Sequence, residues 1–162
     1  MTAEIFKPLG MDSTTVFDDA QRLIKNRAYG YTKTKKGFEV SHSDFVMTGD
    51  GCVMTTLEDF VKWDAALRDG KLVKPETLKQ AFTSGALDDG TAHDYGFGWM
   101  IGKHLKRTLL SHSGGWAGAS TYIGRYVDDG VTVVVLSNLE SMATGMLGNR
   151  IAREYFKDEK DE

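Results

Sequence analysis

The chain holds 162 residues, 41% apolar and 27% charged, with a formal net charge of −3. That length carries one domain with a core of its own, and the composition is that of a globular protein. No basic stripe runs along any segment and no apolar run spans a bilayer, so neither nucleic acid nor a membrane is an implied partner.

In chain order, Met1-Thr2-Ala3-Glu4 opens directly into Ile5-Phe6-Lys7-Pro8-Leu9-Gly10, a segment not expected to act as a signal peptide. Pro8-Leu9-Gly10-Met11 is a turn signal, and Asp18 to Asn26 reads as a short helix or an exposed loop. Tyr29 to Thr32 and Phe38 to Val40 are short extended pieces around a turn at Lys33 to Gly37. After Gly49-Asp50-Gly51 the pattern predicts a helix. Thr55 is its expected N-cap with Glu58 closing a capping box, and Leu57, Phe60, Val61 and Leu67 form its apolar face. Asp69-Gly70 ends it. Pro75 starts a second helix of about two turns.

From Gly96 the character changes. Phe97, Trp99 and Ile101 alternate with Gly98, Met100 and Gly102, which predicts a strand. Arg107 to Ser111, Ala119 to Tyr126 and Val131 to Ser137 are three more. Gly114-Gly115 and the hairpin signal Asp128-Asp129-Gly130 separate them. Val131 to Leu136 is β-branched almost throughout and reads as a strand covered on both faces. Ser141 to Phe156 is the closing helix, with Met142, Met146, Leu147, Ile151 and Tyr155 as its apolar stripe. The tail Lys157 to Glu162 is expected to be a solvated end.

The predicted architecture is therefore α+β, an antiparallel sheet flanked by helices in one domain over 1–162. Residues 1–105 are mainly helix and loop with a first strand, 106–140 the antiparallel strands, and 141–156 the last helix.

His112-Ser113-Gly114-Gly115 is the most informative segment for chemistry. A His and a hydroxyl at a strand end beside glycines can form an anion or oxyanion site, because Gly lets a backbone N–H approach a ligand. A tight connection between two strands is the other reading of the same pattern. His42-Ser43-Asp44 lies in a polar loop, and His93 and His104 read as loop or strand-end residues. The histidines are scattered and Cys52 is alone, so no metal site and no disulfide are expected. No cofactor is implied. Tyr95, Phe97 and Trp99 read as core packing.

Taken in order, these pieces resemble the serine β-lactamase and penicillin-binding-protein family. Ile5 to Met11 followed by Thr14 is similar to its F-x-P-L-G-M-x-x-T segment, and Ala28 to Tyr31 to its A-x-G-Y. Gly49 to Thr56 with Leu57-Glu58-Asp59 and Trp63 resembles the glycine-rich turn and following helix. Tyr95 to Trp99 resembles Y-G-x-G-W. His112 to Gly115 resembles the third active-site motif in its His-x-Gly form. Val131 to Asn138 resembles the strand and S-N that precede the last helix. The resemblance implies an antiparallel sheet beside a helical region, with ester or amide hydrolysis through an acyl-serine at their junction. It implies that His112 and Ser113 polarise or bind the substrate and that the N–H of Gly115 donates to the oxyanion, with Gly114 and Trp116 beside them.

The departures are equally specific. No serine of this sequence has a lysine three residues later, and neither Tyr-x-Asn nor Ser-x-Asn occurs. In the family these two motifs precede the Pro-Leu-Gly-Met segment, so the resemblance implies a C-terminal half without the nucleophile or the first two strands. His in place of the usual Lys of the third motif points toward the esterase and peptidase branch. The expected substrate of the complete protein is a small ester, amide or peptide. The expected assembly is self-association, or pairing with an N-terminal half, through strand 131–137. A non-catalytic binding module using the groove beside His112 is the alternative reading.

Overall fold

The computed structural model describes residues 1–158. A π-helical turn (Thr2–Phe6) leads into a run of short pieces: β1 (Thr15–Val16), the hairpin β2 (Tyr31–Thr34) and β3 (Gly37–Val40), and β4 (Val53–Met54), which returns to pair with β1. Two helices follow, α1 (Leu57–Arg68) and α2 (Pro75–Ala81), then the small pair β5 (Gly85–Ala86) and β6 (Ala92–His93). The main sheet is built by β7 (Met100–His104), β8 (Arg107–Trp116), β9 (Ala119–Tyr126) and β10 (Val131–Ser137). It is an antiparallel meander in the order β10-β9-β8-β7, and α3 (Thr144–Tyr155) closes the described chain apart from a short 3-10 turn. Asp18 to Asn26 is loop and turn, not helix.

The pleat of the sheet separates two cores. On one face Leu109, Tyr126 and Val133 pack with Ala152 and Phe156 of the C-terminal segment. On the other, Leu110 packs with Leu67 and Trp99, flanked by Trp63, Leu78, Phe82, Ile101 and Ile123. Helices α1 and α2 therefore cover one face and α3 the other.

Both long helices turn unexpected faces inward. In α1 the N-cap is Thr56, one residue later than the capping-box pattern suggests, and its side chain accepts the N–H of Asp59. Thr55 instead hydrogen-bonds Thr14. Val61 is 68% exposed and Leu57 is exposed too, whereas Asp59 and Asp64 are buried together with Ala66 and Leu67. The carboxylate of Asp59, 2% exposed, accepts the N–H of Ser13, the hydroxyl of Thr14 and the ammonium of Lys62, each at 2.8 Å. Burial pushes its pKa up, but these donors outweigh that and hold it below the usual carboxylate range. The Thr of the Ile5–Thr14 segment and the Asp of Leu57-Glu58-Asp59 are thus two ends of one buried contact.

In α3 the buried residues are the small ones, Thr144, Gly148 and Ala152, while Met146, Ile151 and Tyr155 face outward. The expected apolar stripe is the wrong side of the helix. The ring of Tyr122 lies directly beneath Gly148, where a Cβ would collide with it. Small residues let the helix approach the tyrosines of β9, and the large apolar side chains are left without a cover.

Two further expectations change. The strand anticipated from Gly96 begins only at Met100, because Gly98 takes a positive φ of 75° and the chain turns there. Strand β10 has α3 on one face and contacts α1 on the other, but it is an edge of the sheet and most of its residues are only half-buried. Of the charged tail, Lys157 pairs with Glu154; residues 159–162 lie outside the described part.

Candidate active site

His112, Ser113, Gly114, Gly115 and Trp116 all belong to β8, which does not bend at the glycines. The hairpin turn comes later, at Ala117-Gly118, and closes on the pair Trp116↔Ala119. Strand β7 pairs with β8 only as far as Met100↔Ser111. Beyond that point β8 has a strand partner on one side alone. By the alternation of an antiparallel ladder, the backbone groups of His112, Gly114 and Trp116 point at β9, and those of Ser113 and Gly115 point to the open side.

Side chains alternate as well. His112 shares the face of Leu110 and Ile123, and Ser113 the opposite face with its cross-strand neighbour Tyr122. The two residues expected to act together thus leave the strand in opposite directions, Ser113 exposed and His112 half-buried. What joins them is the backbone: Nδ1 of His112 stands 2.6 Å from the carbonyl oxygen of Ser113. A carbonyl only accepts, so Nδ1 carries the proton and donates. On the other side of the ring, Nε2 lies 2.8 Å from the hydroxyl of Tyr95, and the two rings meet edge to face at 5.8 Å. Trp116, 41% exposed, stands at the turn end of the same strand.

The other histidines are apart from this group. His42 is exposed, with Asp44 3.9 Å away. His93 lies in β6 against Gly85. Nδ1 of His104 is 2.6 Å from the hydroxyl of Tyr126, and burial, with the nearby Arg153 charge, lowers its pKa. Burial also raises Tyr126 to about 12. No group of three or more His, Cys, Asp or Glu side chains able to hold a metal occurs among the described residues, and no helix there is long and apolar enough to cross a membrane.

The β8–β9 turn is tied down by residues far apart in sequence. The N–H of Tyr31 donates to the carbonyl of Asn138, and the Asn138 amide donates to the carbonyl of Tyr29, both at 2.9 Å. This brings Gly30 onto the β8–β9 turn. A Cβ on Gly30 would lie 2.6 Å from Cα of Gly118, so only glycine fits. The A-x-G-Y and S-N segments are therefore the two clamps that hold the end of the third-motif strand.

Sequence reasoning missed Tyr95. It was expected to pack in the core with Phe97 and Trp99, but only Trp99 is buried. Tyr95 forms a bridge with Met100, which pairs with Ser111, and that register sets it beside His112. Its partner is seventeen residues away, on β8, and no local pattern carries that information.

Comparison with known proteins gives a consistent picture. The profile of the Beta-lactamase family matches residues 1–155. A penicillin-binding protein of Bacillus subtilis (strain 168) is 33% identical over 150 residues, which span 84% of this chain and 33% of that protein. The chain thus spans about a third of the length of the curated relative it matches. Among solved structures, the octameric penicillin-binding protein homologue from Pyrococcus abyssi superposes with a TM-score of 0.82 at 23% identity, over 96% of this chain and 36% of that one. The D-amino acid amidase from Ochrobactrum anthropi SV3, complexed with D-phenylalanine, gives 0.74 at 22% identity, over 98% and 52% respectively. At those identities the structures establish a shared fold.

Proposed function

The chain belongs to the β-lactamase family, and on that premise we propose that it forms the third-motif wall of a serine hydrolase whose nucleophile lies outside these 162 residues. The observation that carries this reading is the open edge of β8 from His112 to Trp116. There a half-buried imidazole and the outward N–H of Gly115 stand together on a strand whose outer side has no strand partner. An extended acyl substrate laid along that edge meets backbone donors and acceptors at strand spacing. Its carbonyl oxygen, on becoming an oxyanion, is stabilised by the N–H of Gly115 together with the N–H of the attacking serine. His112, braced between Ser113 and Tyr95, polarises or binds the substrate, and Trp116 bounds the far end.

Chemistry at this wall needs a serine activated by a base. The absence of Ser-x-x-Lys from the sequence, and a length one third that of the curated relative, support a nucleophile supplied by another segment. The substrate class is a small ester, amide or peptide, in keeping with a fold shared with a D-amino acid amidase. Trapping the acyl-enzyme in the complete protein tests the reading: the modified serine falls outside residues 1–162.

The other open side of the molecule is the expected place of self-association or of pairing with an N-terminal half. Strand β10 is the sheet edge opposite β7, and the outward apolar side chains Met146, Ile151 and Tyr155 of α3 are on the helix that covers it. A free edge carrying neither charge nor Pro is a template for pairing. The chain alone is expected to self-associate through Val131–Ser137, its mean mass rising with concentration in light scattering. Val133 is buried and unsuitable as a probe, whereas Leu136 is exposed. Leu136→Lys should raise the concentration needed for association by about tenfold or more. A concentration-independent monomer with protected amides along β10 would contradict this.

A further inference from the structure

We propose that Tyr95 is the positioning residue of this site: its hydroxyl donates to Nε2 of His112, fixing the plane and the tautomer of the imidazole at the open edge of β8. The inference rests on the functional reading of His112 given above but stands on separate geometry.

The imidazole has two partners of different chemistry. The carbonyl of Ser113 only accepts, so Nδ1, 2.6 Å away, is the protonated nitrogen of the neutral ring. That leaves Nε2 with a lone pair. The phenol of Tyr95, 2.8 Å away, can donate to it. A histidine on an exposed strand end otherwise rotates about two bonds and exchanges between tautomers. Here both nitrogens are engaged and the ring edge is packed against a second ring.

Tyr95 is itself held on a frame. Its N–H donates to the carbonyl of His93 at 2.8 Å, its carbonyl accepts the N–H of Gly85 at 3.1 Å, and it bridges Met100 at the start of β7. The next residue, Gly96, donates to the carbonyl of Trp99 at 2.8 Å and is pressed so closely on Ala81 that a Cβ would collide with its carbonyl oxygen. Trp99 is buried against Leu67 and Leu110. The glycines and tryptophan of Y-G-x-G-W thus anchor a phenol that reaches outward, 40% exposed, to the third motif.

The test is nitrogen NMR of the full chain with labelled histidine, at mildly alkaline pH, in wild type and Tyr95→Phe. The variant keeps the ring contact and loses only the donor. Wild type should show a single Nδ1–H tautomer at His112 with Nε2 hydrogen-bonded; Tyr95→Phe should show averaged tautomers there. The His104 signal, set by Tyr126, should not move and so reports an intact fold. In the complete hydrolase Tyr95→Phe should lower kcat by about tenfold with KM little changed, the loss of one oriented hydrogen bond. An Nε2–H tautomer in wild type, or a variant with wild-type spectrum or wild-type kcat, overturns the proposal. If instead His112→Ala leaves activity intact while the spectra behave as stated, the functional reading fails and the pairing survives.

Discussion

If the proposed function holds, His112→Ala in the complete protein is expected to lower hydrolytic kcat/KM by about 10²-fold or more, as loss of one preorganised transition-state contact does. His42→Ala and His93→Ala are expected to leave it nearly unchanged. The distinction follows from placement. His112 stands where β8 outruns β7, with one nitrogen on the strand's own carbonyl and the other on a tyrosine. His42 has only an exposed aspartate at 3.9 Å, and His93 sits on the outer two-stranded pair. Steady-state kinetics on an activated ester checks all three variants, and equal losses in all three would remove the special place of His112.

The second large effect is on stability. Asp64→Ala should cost about 3–5 kcal/mol, since removing one member of a buried ion pair strands the other charge. Asp64 is 8% and Arg125 6% exposed, and the Arg125 Nε–H donates to Asp64 at 2.8 Å. The hydroxyl of Thr132 donates to the same oxygen at 3.0 Å. The guanidinium also lies near Phe82 and Trp99, 5.8 and 5.9 Å from their ring centres. The contact joins α1 to both β9 and β10, so its loss loosens the helix layer from the sheet. At fixed protein concentration the thermal midpoint should fall by roughly 10 °C. The double variant Asp64→Leu/Arg125→Met should recover most of that, because no charge is left buried and unpaired. A single variant as stable as the double would contradict this account of α1.

How much of this was legible in the residues depends on the range of the interaction. The hairpin at Asp128-Asp129-Gly130, the end of α1 at Asp69-Gly70 and the start of α2 at Pro75 follow local rules, and the structure has them where the pattern puts them. The inward faces of α1 and α3 do not. An amphipathic stripe assumes that large apolar side chains face the core. Here α1 buries two aspartates because Ser13, Thr14, Lys62, Arg125 and Thr132 supply their donors. Helix α3 buries Gly148 and Ala152 because the tyrosines of β9 already fill the space. Both facts reside in partners distant in sequence. The site divides in the same way. The segment His112 to Gly115 stands out by its composition, which reads as a strand end beside a tight connection. Only strand pairing reveals that it is straight, with one open edge, and that His112 and Ser113 diverge. The ordered motifs pointed to the family, while the reasons for their residues came from the contacts: Gly30 on Gly118, Asn138 on Tyr29, Asp59 on Thr14.

The central claim, a hydrolase wall whose nucleophile lies elsewhere, is tested most directly by covalent labelling of the complete protein. A fluorophosphonate reacts with the activated serine, and peptide mapping locates the adduct. A single stoichiometric adduct is expected on the serine of a Ser-x-x-Lys sequence outside residues 1–162, and the 162-residue chain alone should keep its unmodified mass. A stoichiometric adduct on any serine within this chain, Ser113 first among them, would contradict the account.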